Sequence, residues 1–391
     1  MAKDYRTTEY DPQRFMLVSM TALVPCFMMG VYVFGLDMLD NMLGGCGLAV
    51  ILAWLTGMTG ASGDKKPDRE PEYLAAVITG ALIVYGLPST MPIWMVFVGV
   101  ALAMIPGSMI VKWVQKKAGN DSGGVFCILE RAVITSVFGQ VAIWALFREE
   151  MNTWPLNDFV ETRVSPGDVA TGMTPLEILA DSGDLPGLSR MFVGFISGPC
   201  GEVSVAAALI GGVYLVWKKI ISPLMPVVVL AVMFAAAFVY YMTAVPSDEL
   251  IELAGTDAAG AGAAFYLACY HLMAGGAVFG AFFLSPAICL RGAMPEPVKI
   301  SESSEASYQK PHAEDREKAL QDALQKKAAD RSVWVQIVSA AGVGIITMVL
   351  RIKGIYAEGM ALPVLVMYVL VRIATLLLQK RTKRPSGIKT E

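Results

Sequence analysis

The chain has 391 residues, of which 55% are hydrophobic and 17% charged, with a mean hydropathy of +0.55. That balance excludes an ordinary soluble domain and predicts a polytopic membrane protein. The formal net charge of -3 is small and its charges sit in a few short segments, so no nucleic-acid-binding function is expected.

Residues 1–14 are polar and lack the apolar core and cleavage site of a signal peptide, so the first helix is expected to direct insertion into the bilayer. Crossing the hydrocarbon core takes roughly 20 apolar residues. Runs of that kind predict spans over 15–35 and 41–59, a short third span over 74–87 ended by Pro88 and Pro92, and further spans over 93–111 and 125–146. A polar, acidic stretch follows over 147–188. The apolar run 191–217 is interrupted by Gly198-Pro199-Cys200-Gly201-Glu202, which predicts one crossing made of a broken helix with Glu202 opening its second half. Spans seven and eight cover 223–244 and 260–286. A charged segment over 291–331 comes next, its Ala/Lys/Asp/Glu/Gln stretch at 313–330 favouring a solvated helix, and spans over 333–350 and 360–378 precede a basic tail.

The expected fold is therefore all-α: about ten transmembrane helices in two inverted five-helix halves with broken helices. In sequence order these are a first membrane half (1–146), an external loop (147–188), the first part of the second half (189–290), a cytoplasmic charged insertion (291–332), the last two spans (333–379) and a basic cytoplasmic tail (380–391). Lys and Arg collect in the loops that this threading places inside, as the positive-inside rule requires. Arg351 and Lys353 are the exception.

Against that apolar background, Asp168-Val169-Ala170-Thr171-Gly172-Met173-Thr174-Pro175 is a small polar turn on the expected outer face. It gathers one acid and two hydroxyls, with Gly172 loosening the backbone and Pro175 fixing the exit into a helix. Read from composition alone it is a loop. Glu202, in the helix break, reads either as a cap for the free N–H groups there or as a cation or proton position, because an ionisable group at membrane depth is costly. Glu130 and Arg131 point about 100° apart on a helix, so each needs another partner or an aqueous lining. Arg351, Glu358 and Arg372 read as interface anchors. His271 reads as an interhelical hydrogen-bonding residue, and the Gly275-Gly276 and Gly280 spacing as close helix packing. The six cysteines contain no CxxC pair, and with two histidines in the chain no metal site is expected.

Several blocks together resemble the RnfD/NqrB family, which comprises the RnfD membrane protein of the Rnf complex and its relative NqrB in the sodium-pumping NADH:quinone oxidoreductase. They are Ala76-Val77-Ile78-Thr79-Gly80 with Thr90-Met91-Pro92-Ile93-Trp94, then Gly198-Pro199-Cys200-Gly201-Glu202-Val203-Ser204. His271-Leu272 with Gly275-Gly276 and Phe279-Gly280-Ala281-Phe282-Phe283 follow, and Arg351 with Tyr356-Ala357-Glu358-Gly359 completes the order. The resemblance implies FMN joined through its phosphate to a threonine in a D-x-x-(S/T)-(G/A)-A-T pattern, which Asp168, Thr171, Gly172 and Thr174 match. Thr174 would then be the flavinylated residue, modified outside the inner membrane by a flavin transferase. Arg163 is a candidate to offset the phosphate charge.

The sequence also departs from the family. Met173 stands where alanine is usual, Val125-Phe126-Cys127 replaces an N-P-A block, and Leu284-Ser285-Pro286-Ala287 replaces an A-T-D-P block. The last two bear on the non-covalent riboflavin that the resemblance also implies. The resulting expectation is a membrane flavoprotein subunit of an Rnf-type ferredoxin:NAD oxidoreductase, inactive without partner subunits. It would relay single electrons through FMN on Thr174, coupled to Na+ or H+ movement, with Glu202 and Glu130 as candidates for the ion path. Alternatives from the same residues are a subunit of the NADH:quinone type, a non-redox transporter or channel, and a relative that has lost its flavin.

Overall fold

A computed structural model describes residues 12–59, 70–117, 125–148, 173–180, 185–254, 260–290, 333–354 and 359–382. Asp168, Thr171, Gly172, Arg163 and the 291–332 insertion lie outside the described residues. Among those described, every regular element is a helix. In the first half these are α1 (Pro12–Phe34), α2 (Leu36–Thr59), α3 (Glu70–Tyr85), α4 (Ile93–Lys117) and α5 (Val125–Leu146). Two short helices follow, α6 (Pro175–Ala180) and α7 (Leu188–Val193), then α8 (Val205–Trp217), α9 (Leu224–Ala244) and α10 (Ser247–Ala254). The remainder are α11 (Ala261–Met273), α12 (Ala277–Ile288), α13 (Val333–Ile352) and α14 (Ala361–Thr382).

Six of these, α1, α2, α4, α5, α9 and α13, are long and apolar enough to cross a bilayer alone, and the bent pair α11 and α12 makes a seventh. Each of the ten expected crossings contains at least one helix, so ten crossings remain compatible with the fold. The long helices are apolar on most sides over their spanning lengths, as buried or lipid-facing helices are, whereas α10 and the Lys-bearing end of α4 are amphipathic. Large side chains such as Met28, Leu43, Trp94, Ile210 and Trp217 face outward, where lipid is the natural neighbour. Between helices, small residues permit close approach. α8 lies so near α1 that a Cβ on Gly211 would overlap the carbonyl of Ala22. The fourth crossing runs past its expected end to Lys117 through one π-helical turn, Ala103–Gly107, containing Pro106. That wider turn takes up a residue with no N–H to donate.

The interior is organised by two breaks in helical structure. One is the turn between α7 and α8, anticipated from Gly198 to Glu202. Its backbone is tied to the end of α3, with Cys200 N–H donating to Leu87 O and Gly201 N–H to Tyr85 O, both at 3.0 Å. Tyr85 passes its hydroxyl to Leu23 O on α1 at 3.0 Å and sets its ring edge-on to Phe279 of α12. The other break was not anticipated, since residues 260–286 read as one continuous span. α12 turns 63° away from α11 at Ala274, Gly275 and Gly276. The cause is two successive left-handed glycines, Gly275 at φ 55° and Gly276 at φ 61°, a conformation that other residues rarely adopt.

Breaking α11 strands its last carbonyls, and Arg351 of α13 satisfies them. Its guanidinium donates to His271 O at 2.7 Å, Gly275 O at 2.7 Å and Ala274 O at 3.3 Å. Gly359 N–H adds a further bond to Gly275 O at 3.1 Å. Arg351 is therefore a buried brace and not the interface anchor expected from sequence. Its exception to the charge rule has the same explanation, because it is not a loop charge.

Replacing Arg351 with alanine removes three charge-assisted bonds and leaves the buried His271 O without a donor, while Ala274 O and Gly275 O keep the N–H groups of Ala277 and Gly359, and this should lower stability by about 3 kcal/mol. Arg351→Lys should recover only part, because a single ammonium cannot reproduce the fork. Thermal unfolding of the purified protein in one detergent checks this, and equal melting of wild type and Arg351→Ala would remove the brace.

Candidate functional site

Thr174 stands at the entry to α6, where Thr174-Pro175-Leu176-Glu177 has the spacing of a capping box. The Glu177 carboxylate accepts from the Thr174 backbone N–H at 2.8 Å and from its hydroxyl at 3.0 Å. In return the Glu177 N–H donates to Thr174 Oγ1 at 3.4 Å. Pro175 occupies the first helical position, where no N–H is needed. The Thr174 side chain is fully buried, at 0% exposure. Tyr270 of α11 ties the turn to the membrane core by donating its hydroxyl to Pro175 O at 2.9 Å. Glu177 is a residue that the sequence motifs above do not include, although the T-x-x-E spacing was there to find it.

Glu202 is 4% exposed and lies in the turn between α7 and α8. It does not open α8 as expected. That helix starts at Val205, and its cap is Ser204, whose hydroxyl accepts from Ala207 N–H at 3.2 Å. The Glu202 carboxylate instead packs against Gly276 at the second break, so closely that any Cβ there would overlap it. The break thus has an acid at the amino end of α12 and a guanidinium at the carboxyl end of α11. Both charges oppose the partial charge of the helix end that they face.

Beside this crossing, His271 and Tyr241 of α9 share a hydrogen bond of 2.9 Å between Nε2 and the phenolic oxygen. This is the interhelical role read from sequence.

Glu130 belongs to a different place. It is fully buried on α5, and Oε1 accepts from Arg372 and, at 3.1 Å, from the Tyr368 hydroxyl, both on α14. Arg372 also lies over the Tyr368 ring, 5.0 Å from its centroid. Arg372, expected to anchor at an interface, is instead the buried partner of Glu130. The adjacent Arg131 takes another direction, as the helical angle requires. Glu130 and Glu202 are held by different elements.

The segments that depart from the family blocks begin α5 and end α12, and these helices pack on one another. A cavity of about 30 Å³ there is lined by Leu129, Val133, Phe282, Phe283, Pro286 and Ala287, among others. That is space for about one water. Among the described residues, no group of His, Cys, Asp and Glu is placed to hold a metal ion.

If Glu130 and Arg372 form one buried unit, Glu130→Gln and Arg372→Met should each cost about 3 kcal/mol, with the double variant costing clearly less than their sum. Denaturation of the four proteins in the same detergent measures this, and additive losses would show that the pair is not coupled.

Comparison with known proteins bears on residues across both breaks. A model described as the NQR2, RnfD, RnfE family matches residues 3–288. The chain is 25% identical over 366 residues to the D component of the Na+-translocating ferredoxin:NAD+ oxidoreductase complex of Acetobacterium woodii, covering 93% of this chain and 86% of that protein. It is 25% identical over 365 residues to the D component of the proton-translocating ferredoxin:NAD+ oxidoreductase complex of Clostridium ljungdahlii, covering 88% and 84%. Similarity to the B component of the Na+-translocating NADH-quinone reductase of Pseudoalteromonas atlantica is 27% over 210 residues, covering 53% of this chain and 44% of that protein.

Proposed function

Because the chain belongs to the NQR2, RnfD, RnfE family, we propose that it is the membrane subunit of an Rnf-type, ion-translocating ferredoxin:NAD oxidoreductase. In this reading it carries FMN in phosphoester linkage at Thr174. The main support is the match over residues 3–288, which includes both Thr174 and Glu202. The greater coverage of the ferredoxin-linked relatives, 93% and 88% of this chain against 53% for the quinone-reductase component, favours the Rnf type. Alone the chain is inactive, and partner subunits complete the electron path.

Thr174 supplies the hydroxyl that the linkage needs, already ordered by Glu177. In the transfer, Thr174 Oγ1 would bond to the FMN phosphorus as the pyrophosphate bond of a flavin dinucleotide donor breaks and a nucleoside monophosphate leaves. The hydroxyl proton shared with Glu177 is lost and a phosphodiester anion is set beside that carboxylate, so the capping contact must open. A bound flavin supplies one-electron redox chemistry, and the protein positions it. Here the positioning is done by the α6 turn, held to α11 through Tyr270.

Ion movement, of Na+ or H+, is assigned to the crossing of the two breaks with Glu202 as its acid. Glu130 is neutralised by Arg372 and is kept as structure. The subunit lies in the inner membrane with both termini cytoplasmic and the Thr174 turn outside, reached there by a flavin transferase.

Co-expression with a flavin transferase should give a fluorescent band on a denaturing gel that vanishes in Thr174→Ala. A dark wild-type band under those conditions would defeat the flavin reading. In the assembled complex, Glu202→Gln should keep its flavin yet lower ion pumping about tenfold or more, the rate equivalent of about 1.4 kcal/mol. Normal pumping at normal flavin content would make Glu202 a structural residue.

A further inference from the structure

Where α2 and α4 end and α3 and α5 begin, a cavity of about 110 Å³ is lined by Glu72, Thr79, Ser108, Lys112, Arg131 and Thr135, among others. Thr79 and Thr135 are buried at its floor, Arg131 is half-buried, and Glu72 and Lys112 are exposed at its rim. None of these residues belongs to the sites above. Neighbouring Glu130 faces away, engaged with α14.

Three charges share this space without pairing. Among the described residues Glu72 forms no ion pair with Lys112 or Arg131, although all three line one cavity. Among the described residues, Arg131 Nε and the buried Thr135 Oγ1 have no hydrogen-bond partner. Charged and polar groups within a membrane protein are costly when left so, and ordinarily meet a partner or a wet cavity. The donor inventory gives the sign of the missing partner. The Thr56, Thr79 and Ser108 hydroxyls are turned to backbone carbonyls, Leu52 O for Thr56, Ala75 O or Ala132 O for Thr79, and Met104 O for Ser108. What remains to donate into the space is the Arg131 guanidinium, the Lys112 ammonium and the Thr135 hydroxyl. Two cations and a hydroxyl against one rim carboxylate suit an anion with several oxygens. The volume exceeds the share of about 30 Å³ taken by a single water.

We propose that this cavity binds a phosphate group, with Arg131, Lys112 and Thr135 donating to its oxygens and Glu72 flanking the mouth. Arginine is well matched to phosphate oxygens, and basic pockets between transmembrane helices near one membrane surface take anionic lipid headgroups. The phosphate can come from a phospholipid headgroup or from a free phosphate, and two measurements separate these sources.

The purified, delipidated full chain in a phosphate-free detergent is melted against inorganic phosphate at constant ionic strength, with chloride as the control. In parallel, phosphatidylglycerol is titrated into the same micelles, and retained lipid is counted by native mass spectrometry. A response in the first arm assigns free phosphate, and a response in the lipid arm alone assigns a headgroup. Either response should weaken roughly tenfold or more in Arg131→Gln, persist in Arg131→Lys, and weaken in Thr135→Val. Thr135→Val is nearly isosteric and decides the question if Arg131→Gln does not fold. A folded wild type that responds in neither arm overturns the proposal, as does a response that no variant changes.

Discussion

Lipid offers no hydrogen bonds, so each backbone N–H and C=O released where a helix stops inside a membrane protein needs a partner from the protein. The rest of this structure depends on how that demand is met at its two breaks. The turn before α8 gives its amides to the carbonyls that end α3. The end of α11 gives its carbonyls to Arg351. The breaks then close on each other where Glu202 meets Gly276. Irregular backbone can persist here because it is enclosed by protein, and a polar crossing results inside a predominantly apolar bundle.

The buried charges follow from the same accounting. Arg351 and Glu202 each sit against a helix end of opposite partial charge, while Glu130 and Arg372 neutralise one another directly. A buried ion pair is weak evidence of net stabilisation, since desolvation offsets much of the attraction. Removing one partner, however, leaves a charge with nothing to balance it. Glu130 and Arg372 thereby fix how α14 lies against α5. The Arg131 cavity breaks this pattern, with charges around a shared space and, among the described residues, no ion pair between them.

Thr174 connects with the crossing through a short series of contacts. Pro175 O receives the Tyr270 hydroxyl. The next residue, His271, offers its carbonyl to Arg351, and Gly276 at the same break packs on Glu202. The proposed flavin residue and the proposed ion-path acid are therefore joined to the two sides of one helix break.

The all-helical membrane architecture was legible in the sequence because hydropathy and span length are summed along the chain, and neither requires knowing what packs on what. The Thr174 turn and the break at Gly198 to Glu202 were legible for a similar reason, since Gly, Pro and capping residues act on their immediate neighbours. Partnership between distant residues was not. Glu130 shows that it needs a partner, but nothing along the chain identifies Arg372, 242 positions away. The second break was hidden because Gly275-Gly276 serves equally well for helix packing and for a left-handed turn. Only the tertiary structure, by placing Arg351 on the stranded carbonyls and Glu202 against Gly276, decided that it is a turn.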